Sequence, residues 1–309
     1  MNIPTAVVVG EALIDVVRRS DGTGGEHPGG SPMNVAITLG RLGRRVDLLT
    51  WFGKDPRGDE ILNHLGASRV TVLPGSDAAP STPVAIATVD ADGVATYEFD
   101  LTWELSPGWE VETGDPVVVH TGSIAAVLPP GGADVLALLR AKHPTSTITY
   151  DPNLRPALMG APADVQPVVE ALVATSDVVK VSDEDLAWLH PGQEPAAIAA
   201  DWVTRGPSLV VVTHGGEGAY AVTRSGESIH VPAPKTQVAD TVGAGDSFMG
   251  GLIDGLWSAG LLGAPQRQAL AEIPLETVRE ILERCVRIAA ITVSRAGANP
   301  PWSDELDVA

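Results

Sequence analysis

Cysteine is almost absent from this sequence, whose 309 residues include Cys285 alone. One cysteine cannot form a disulfide within the chain, so the cysteine content gives no sign of an oxidising compartment. Residues 1–10 lack the basic segment and the long apolar run of a signal peptide. Uninterrupted apolar stretches all fall short of the roughly 18 residues that are needed to span a bilayer. These absences predict a soluble cytoplasmic protein with no membrane partner.

Basic residues are also scarce, with 20 lysines and arginines against 39 aspartates and glutamates and a formal net charge of −19. Binding to a nucleic-acid duplex needs clustered lysine and arginine, and no such cluster occurs, so we exclude nucleic acid as a partner. Apolar residues make up 44% of the chain, which is typical of a packed globular protein. If this acidic protein handles phosphate, backbone amides, a metal ion or a few placed cations must neutralise that charge locally.

Three signatures of nucleotide-binding folds are missing as well. The Gly-x-x-x-x-Gly-Lys-Ser/Thr run of P-loop proteins does not occur. The first predicted strand ends in Gly10-Glu11-Ala12 rather than in the Gly-x-Gly-x-x-Gly turn of dinucleotide-binding folds. The lysine and His-Arg-Asp set of protein kinases is absent too. We therefore do not expect any of these three classes.

Short β-branched runs alternate with helical patterns along the chain. The alternation predicts an α/β fold with a mainly parallel central sheet, covered by helices on both faces. In such a sheet, ligands bind beyond the carboxyl ends of the strands. The predicted strands are 5–9, 46–51, 117–120, 147–150, 177–181 and 208–213, and the predicted helices are 133–142, 164–174, 194–204 and 276–293.

Two segments interrupt this alternation of strands and helices. Residues 84–90 and 94–99 are predicted strands joined by Ala91-Asp92-Gly93, which is typical of a hairpin turn. A second, irregular excursion follows the first strand. Together they form either a small β lid over a site or a pair of surface insertions. Because the chain has no repeat and no long linker, we expect one domain, 1–309, with a lid formed by about 12–30 and 82–105.

The most informative segment is 240–248, Asp-Thr-Val-Gly-Ala-Gly-Asp-Ser-Phe, which opens a predicted helix. Its small residues let the backbone approach a ligand closely, and the free amides of a helix's first turn bind anions. A site that only bound an anion would repel the carboxylate of Asp246. Phosphoryl transfer, by contrast, needs a base that accepts the proton of the attacking hydroxyl. Asp246 is therefore predicted to be that base, and the alternative is a helix N-cap aspartate.

A second glycine turn follows a predicted strand at 213–218, Thr-His-Gly-Gly-Glu-Gly. Its amides and the hydroxyl of Thr213 are suited to nucleotide phosphates. A hairpin turn into the segment 219–223 explains the same pattern, so both interpretations stay open.

Two long segments resemble the signatures of the ribokinase-like (PfkB) carbohydrate kinases. Residues 240–248 are similar to the C-terminal signature, and 29–43, which begins Gly-Gly-Ser-Pro-Met-Asn, is similar to the N-terminal one. The blocks 53–58 and 289–301 are also similar, so the resemblance covers essentially the whole chain. It implies a ribokinase-like three-layer sandwich with a mainly parallel sheet, helices on both faces and a small β-sheet lid. It also implies transfer of the γ-phosphoryl group of ATP to a sugar hydroxyl.

The resemblance assigns roles to individual residues. Asp246 would be the catalytic base. Glycines at a lid hinge would absorb the dihedral changes of closure, and a carboxylate with an amide would bind vicinal sugar hydroxyls. Alternatives stay open for the carboxylate and the amide of this pair: Asp15 could be a strand-end cap, and Asn34 could be an ordinary residue of a helix's first turn. The implied anion hole is Gly243, Ala244 and Gly245, the implied sugar ligands are Asp15 and Asn34, and the implied hinge is Gly29 and Gly30.

The resemblance also implies a nucleotide site and metal ions. Mg²⁺ would accompany ATP near Asp185, although Ser182 replaces the asparagine of the family's Asn-x-x-Glu block. Cys285 falls where the family's adenine pocket has a helix side chain, and ordinary helix packing is the alternative that we prefer. A potassium ion is implied near Asp240 and the carbonyls around Val242, Arg295 and Gly297, but Pro301 replaces a hydroxyl ligand of some members. The implied ATP-binding residues are Lys180, Ser182, Thr213, Gly215, Gly218 and Cys285.

The block 151–156, Asp-Pro-Asn-Leu-Arg-Pro, resembles the fructokinase and 2-keto-3-deoxygluconate kinase branch more than ribokinase. Arg155 would pair with a phosphate or a sugar oxygen, and a strand-end ion pair is the alternative. A sugar acid needs a cation, yet residues 97–104 are acidic and lack that branch's arginine. A small neutral sugar is therefore predicted, namely fructose converted to fructose 6-phosphate. Trp103 would either stack on this sugar or pack within the lid.

Several alternatives stay open at this point. The substrate of the same chemistry could instead be 2-keto-3-deoxygluconate, ribose or a nucleoside. Outside catalysis, the chain could be a sugar-sensing pseudokinase. The exposed edge of the lid hairpin also predicts a homodimer through the lids, because unpaired strand edges favour pairing.

Overall fold

The computed structural model describes residues 3–19, 23–90, 95–106, 108–109 and 115–306. Within them, nine strands form one large sheet and four strands form a second, smaller sheet. The predicted turn 91–93 lies outside the described residues. The strands of the large sheet are β1 (Ala6–Val9), β4 (Val46–Leu49), β5 (Val70–Val72), β8 (Val118–Gly122), β9 (Thr147–Asp151), β10 (Val178–Ser182), β11 (Leu209–Thr213), β12 (Ala219–Thr223) and β13 (Ser228–Val231). The strands of the small sheet are β2 (Leu13–Arg19), β3 (Gly24–Gly29), β6 (Val84–Val89) and β7 (Ala95–Asp100).

The large sheet has the strand order β13-β12-β11-β10-β9-β8-β1-β4-β5. Neighbouring strands from β11 to β5 pair in parallel, whereas β12 and β13 pair antiparallel at one edge. All six predicted strands of this sheet are present, with bounds within two residues of the prediction. The mainly parallel sheet is therefore confirmed, and the β11–β12 pair shows that the turn after Thr213 is a hairpin.

Helices cover both faces of the large sheet, as predicted. The side chains of β1 alternate between two cores: Ala6 and Val8 belong to one, and Val7 and Val9 to the other. This alternation is the period of two that a strand imposes, and it produces three layers. The helices are α1 (Ser31–Arg41), α2 (Pro56–Ala67), α3 (Gly131–Lys142), α4 (Pro156–Met159), α5 (Pro162–Thr175), α6 (Asp183–Leu189), α7 (Pro195–Trp202), α8 (Ala244–Ser258), α9 (Arg267–Ala271) and α10 (Leu275–Val293).

The small sheet, of order β3-β2-β6-β7, is separate from the large one. The pattern after β1 does not predict β2 and β3, because Pro28 and several glycines dilute its alternation. Asp55 caps α2 and also accepts hydrogen bonds from the amide (2.8 Å) and the hydroxyl (2.7 Å) of Thr82, which fixes the start of β6. Arg57 of α2 donates two 2.7 Å hydrogen bonds to Glu26 of β3. The sheet is thus tied to the main body, and its action as a lid stays a prediction.

Glycines of α8 let this helix pack closely between α1 and α10. A Cβ atom on Gly250 would lie 2.6 Å from Cβ and Cγ2 of Thr38 in α1. Cβ atoms on Gly251 and Gly255 would lie 2.8 Å from side-chain atoms of Ile288 and Ile281 in α10. Since α1 and α8 carry both signature segments, this close approach positions the N-terminal ends of the two helices. None of the helices in the described ranges is long and apolar enough to cross a membrane.

We expect Gly250→Ala to lower the free energy of unfolding by about 1–3 kcal/mol, because the added methyl group overpacks the contact between α1 and α8. Gly66→Ala is the matched control, since this glycine of α2 has no atom within 4 Å of the added Cβ position. The control should gain up to about 1 kcal/mol from the better helix propensity of alanine. Urea unfolding measures both changes, and equal stabilities of the two variants would contradict the packing argument.

Candidate active site

A cavity of about 500 Å³ lies where the small sheet faces the carboxyl ends of β1, β8 and β9. The small sheet contributes Asp15, and the N-terminal ends of α1 and α8 contribute Asn34 and Asp246. Loops after β1 and β9 contribute Glu11 and Arg155. The expected position beyond the carboxyl ends of parallel strands is therefore confirmed. Asp15 and Asp246, which are 231 positions apart in the sequence, face the same cavity.

Asp246 is the third residue of α8 and is only 6% exposed. Its Oδ1 accepts hydrogen bonds from Ser31 Oγ (2.7 Å) and Asn153 Nδ2 (3.3 Å), and its Oδ2 accepts one from Asn34 Nδ2 (2.8 Å). The N-cap of α8 is Gly243, which has no side chain, so the alternative that Asp246 caps this helix is wrong. Three side-chain donors orient the carboxylate toward the cavity.

The predicted anion hole lies at the start of α8. Gly243 has a left-handed φ of 76°, and a Cβ atom there would lie 2.5 Å from Cβ of Ala298. Gly245 is close to Lys180, whose Nζ would lie 2.9 Å from an added Cβ. Residues 241–246 all line the cavity. The positive φ of Gly243 and its contact with Ala298 require glycine at that position. The amides of Gly243 and Gly245 are available to an anion at this helix start, whereas the amide of Ala244 donates a 3.3 Å hydrogen bond to the carbonyl of Thr241.

Lys180 does not line this cavity, and its predicted contact with ATP stays a prediction. Its side chain is buried and forms an ion pair of 2.9 Å with Asp151 Oδ2. Burial is the largest influence and lowers the pKa of Lys180, but the charge and hydrogen bond of Asp151 and the charges of Asp185 and Asp246 together raise it above its usual value, so the ammonium stays protonated. This cation lies beneath the glycine turn, since its Nζ is the atom that a Cβ on Gly245 would meet. It therefore adds positive potential to the anion site without touching the cavity.

Asp15 lies within β2 rather than at a strand end, so a strand-end cap is wrong as its alternative role. Burial raises the pKa of its carboxyl, and the nearby charges of Arg155 and His27 lower it in part. A Cβ atom on Gly29 would lie 2.1 Å from Asp15 Oδ2, so this glycine makes room for the carboxylate. Gly30 has a φ of 116°, which only glycine adopts easily.

Asn34 is in the first turn of α1. Its Nδ2 binds Asp246, and its buried Oδ1 has no hydrogen-bond partner among the described residues. A buried acceptor without a partner is costly, so a hydroxyl donor from a ligand would stabilise it. The helical position and the binding role of Asn34 are therefore compatible.

The segment 151–155 supplies a residue that the motifs do not identify. Asn153 has an unusual φ of 38° and bridges two charged groups, since its Oδ1 accepts a 2.7 Å hydrogen bond from Arg155. Asp185 holds this segment, because its Oδ1 accepts a 2.8 Å hydrogen bond from the amide of Leu154. The Asp-Pro-Asn-Leu-Arg-Pro block marks the segment, but only the fold brings Asn153 to Asp246. The sequence motifs also give Ser31 no role, because only the fold brings this residue to Asp246.

The predicted ATP turn at Thr213, Gly215 and Gly218 is outside this cavity. Gly215 and Gly218 have φ values of 48° and 107°, which a side chain would strain. Thr213 is half-buried at the end of β11, and Gly215 is exposed. Binding of ATP by this turn stays a prediction, because no contact of the turn tests it.

Three predicted site residues have other roles in the structure. Trp103 is 5% exposed and packs in the core, where a Cβ atom on Gly131 would lie 2.4 Å from its ring. Cys285 is fully buried against Gly251 of α8, and burial raises the pKa of its thiol. Ser182 caps α6 through a 3.0 Å hydrogen bond from the amide of Asp185. Sugar stacking by Trp103 and adenine contact by Cys285 therefore do not fit this packing, and packing explains both.

The structure shows different surroundings for the two predicted metal sites, the Mg²⁺ site at Asp185 and the potassium site at Asp240. Both oxygens of Asp185 accept backbone hydrogen bonds, from Leu154 and Ser182, and binding of Mg²⁺ by this carboxylate stays a prediction. Asp240 gathers the predicted potassium segment, since its two oxygens accept hydrogen bonds from the amides of Val242 (3.0 Å) and Gly297 (2.9 Å). The side chain of Arg295 forms a 2.6 Å ion pair with Glu305, and the predicted role of the carbonyl groups near it stays a prediction. In the described ranges, no group of three or more histidine, cysteine or acidic residues could hold a metal ion.

The acidic side chains of the stretch 97–104 do not face the cavity. Glu98, Asp100 and Glu104 are exposed, whereas Phe99 and Leu101 line the cavity. The carboxylates of this stretch therefore cannot select a neutral sugar in the predicted way. Among the described cavity residues, the acidic ones are Glu11, Asp15 and Asp246, and the basic one is Arg155.

Comparison with known proteins agrees with this geometry. The chain is 36% identical over 276 residues to a fructokinase of Rhizobium leguminosarum bv. trifolii, covering 85% of this chain and 83% of that one. It is 31% identical to a fructokinase of Klebsiella pneumoniae, covering 82% and 85% of the two chains. The crystal structure of fructokinase with bound ATP from Xylella fastidiosa superposes with a TM-score of 0.85 at 22% identity, over 99% and 98% of the two chains. A fructokinase double mutant of Vibrio cholerae O395, bound to fructose, ADP and potassium ion, gives 0.74 at 25% identity, over 96% and 94%.

The model of the pfkB family carbohydrate kinases matches residues 4–305, nearly the whole chain. Its span includes the glycine turn of α8, the start of α1 and the small sheet. The chain therefore belongs to the pfkB family of carbohydrate kinases, enzymes that transfer a phosphoryl group to a sugar hydroxyl.

Proposed function

We propose that this carbohydrate kinase is an ATP-dependent fructokinase, which converts fructose to fructose 6-phosphate. The observation that carries the proposal is the shared cavity of Asp15, Asn34 and Asp246, with the glycine turn of α8 beside Asp246. Two relatives above 30% identity are fructokinases, and a structural neighbour at 25% identity is bound to fructose and ADP. A sugar and a phosphoryl group thus have adjacent places in one cavity.

The hydrogen bonds of Asp246 determine which of its oxygens takes the proton. A carboxylate oxygen accepts up to two hydrogen bonds. Oδ1 already has two donors, Ser31 and Asn153, whereas Oδ2 has only Asn34. The attacking hydroxyl of the sugar therefore donates to Oδ2. The proton moves to Oδ2 as the hydroxyl oxygen bonds to the γ-phosphorus and the bond to the β-phosphate oxygen breaks.

The negative charge of the moving phosphoryl group is neutralised by the chain itself. The amides of Gly243 and Gly245 lie at the start of α8, where the helix dipole also favours an anion, and the amide of Ala244 would join them by exchanging its 3.3 Å hydrogen bond to the carbonyl of Thr241. The buried ammonium of Lys180 lies beneath the same turn. Preorganised donors of this kind stabilise charge that develops in the transition state. Asp15 and the free Oδ1 of Asn34 hold the sugar.

Few residues of the protein are proposed as ligands of metal ions. Mg²⁺ keeps several waters and binds mainly through substrate phosphates in such sites, so a protein cage is not required. We propose that it enters with ATP and supplies charge neutralisation on the phosphates. The turn held by Asp240 is the proposed place for a potassium ion, since its backbone joins the end of α10 to the anion hole.

Replacing Asp246 by asparagine should lower kcat by about 10²-fold or more, because the variant lacks the base. The control is Asp134→Asn, an exposed first-turn aspartate of α3, which should leave kcat unchanged. Both are measured by coupled ADP release. A kcat within about threefold of wild type in Asp246→Asn would show that Asp246 is not the base, whereas absence of ADP release by the wild type itself would favour a sugar-sensing pseudokinase.

The sugar itself is tested by ADP release with fructose, ribose, 2-keto-3-deoxygluconate and adenosine. We expect the highest kcat/KM for fructose. A higher value for one of the other three compounds would overturn the proposed substrate but keep the kinase.

Potassium activation is tested by replacing K⁺ with tetramethylammonium at constant ionic strength. We expect kcat to fall severalfold, because the Asp240 turn shapes the anion hole through Val242. Equal rates in both salts would show that this turn needs no cation.

A further inference from the structure

Glu11 is a buried carboxyl group in the wall of the sugar cavity, and the proposed mechanism does not use it. It follows β1, the strand at the centre of the large sheet, and is 5% exposed. Burial of a carboxyl group is costly unless hydrogen bonds or charges compensate for the loss of water. Its neighbours therefore show whether packing alone accounts for it.

The contacts of Glu11 tether one loop but do not neutralise the carboxyl group. Its Oε2 accepts a 3.2 Å hydrogen bond from the amide of Ala125, and Ser123 donates a further side-chain hydrogen bond. Ser123 has a φ of 54°, so this tether holds an unusual turn after β8. A neutral glutamine could accept the same amide hydrogen bond. The tether therefore explains an acceptor at this position, but it does not explain an acid.

The charges around Glu11 come from several elements. Arg155, at the start of α4, is the cation that acts on it, and Asp15 of β2 and Asp246 of α8 face the same cavity. Burial raises the pKa of Glu11 to about 7, although hydrogen bonds from its own backbone, Ser123 and Ala125 and the charge of Arg155 act in the opposite direction. The carboxyl group thus changes charge near neutral pH, inside the cavity.

We propose that Glu11 recognises the sugar: its carboxylate accepts a hydrogen bond from a hydroxyl of the neutral substrate, and its charge disfavours sugar acids. The inference rests on the proposed function and deepens it. In this proposal, the carboxylate of Glu11, which lines the cavity, has the selecting role predicted from the sequence for the exposed carboxylates of 97–104. Because Arg155 would otherwise attract the carboxylate of a sugar acid, a negative group beside it supplies the discrimination.

The test compares fructose binding to the wild type and to Glu11→Gln by calorimetry without nucleotide, from pH 6 to pH 8. In the wild type, Kd should fall about tenfold as pH rises, since a group with a pKa of about 7 goes from about one-tenth to about nine-tenths ionised. In Glu11→Gln, Kd at pH 8 should be about tenfold higher and change less than about twofold with pH. The same variant should narrow the preference for fructose over 2-keto-3-deoxygluconate by about tenfold.

Glu98→Gln is the matched control, because this glutamate of β7 is exposed and does not line the cavity. It should keep the Kd, the pH dependence and the sugar preference of the wild type. Asp15, whose pKa is also raised, contributes equally to the wild type and to Glu11→Gln, so their difference isolates Glu11. If Glu11→Gln does not fold, the same titration with Asp15→Asn decides, because this variant lacks the other carboxyl group with a raised pKa, and a Kd that no longer changes with pH in it would overturn the inference.

Two outcomes overturn the inference in different ways. If the wild type binds fructose and Glu11→Gln binds it with the same Kd, pH dependence and preference, Glu11 only tethers the 123–125 turn and the fructokinase proposal stands. If the wild type binds no fructose at all, both proposals fail. A loss of thermal stability in Glu11→Gln with unchanged sugar binding belongs to the first case.

Discussion

The contact between α1 and α8 determines where the carboxylate of Asp246, the proposed base, lies. These helices belong to signature segments about 200 residues apart, and they approach closely because Gly250 presents no side chain to Thr38. That approach brings Ser31 and Asn34 within hydrogen-bond distance of Asp246. The orientation of the carboxylate is therefore a consequence of core packing. It also leaves one oxygen, Oδ2, with a free lone pair for the incoming hydroxyl.

Local electrostatics explain how a chain with a net charge of −19 can bind phosphate. The positive potential comes from backbone amides at the start of α8 and from the single ammonium of Lys180 beneath them. Asp151, together with the charges of Asp185 and Asp246, keeps that lysine protonated although it is buried. Neither contribution requires a basic surface patch. The acidic surface and the anion site therefore coexist, because the field that the phosphoryl group meets is set within a few ångströms.

The small sheet supplies acidic and apolar side chains to the end of the cavity where we propose that the sugar binds. It contributes the carboxylate of Asp15 on one strand and apolar side chains, Phe99 and Leu101, at the end of another. Glu11 adds a second carboxyl group from the large sheet, and Arg155 stands opposite with one guanidinium. A polyol suits such a wall, since its hydroxyls donate to the acids while its carbon face lies against the apolar residues. The Arg57–Glu26 pair and the Asp55–Thr82 hydrogen bonds hold this sheet in place over the site.

The sequence by itself determined the α/β class, the bounds of six of the nine large-sheet strands to within two residues, the glycine turn at 243–245 and the candidates Asp15, Asn34 and Asp246. These features are local, because strand alternation, helix starts and glycine turns depend on neighbouring residues. The tertiary structure decided the features that depend on distant residues. It paired Lys180 with Asp151, brought Asn153 and Ser31 to Asp246, buried Trp103 and Cys285 in the core, and turned the acids of 97–104 away from the cavity. The physical reason is that burial and charge pairing are properties of neighbours in space, and a linear pattern does not specify which residues those will be.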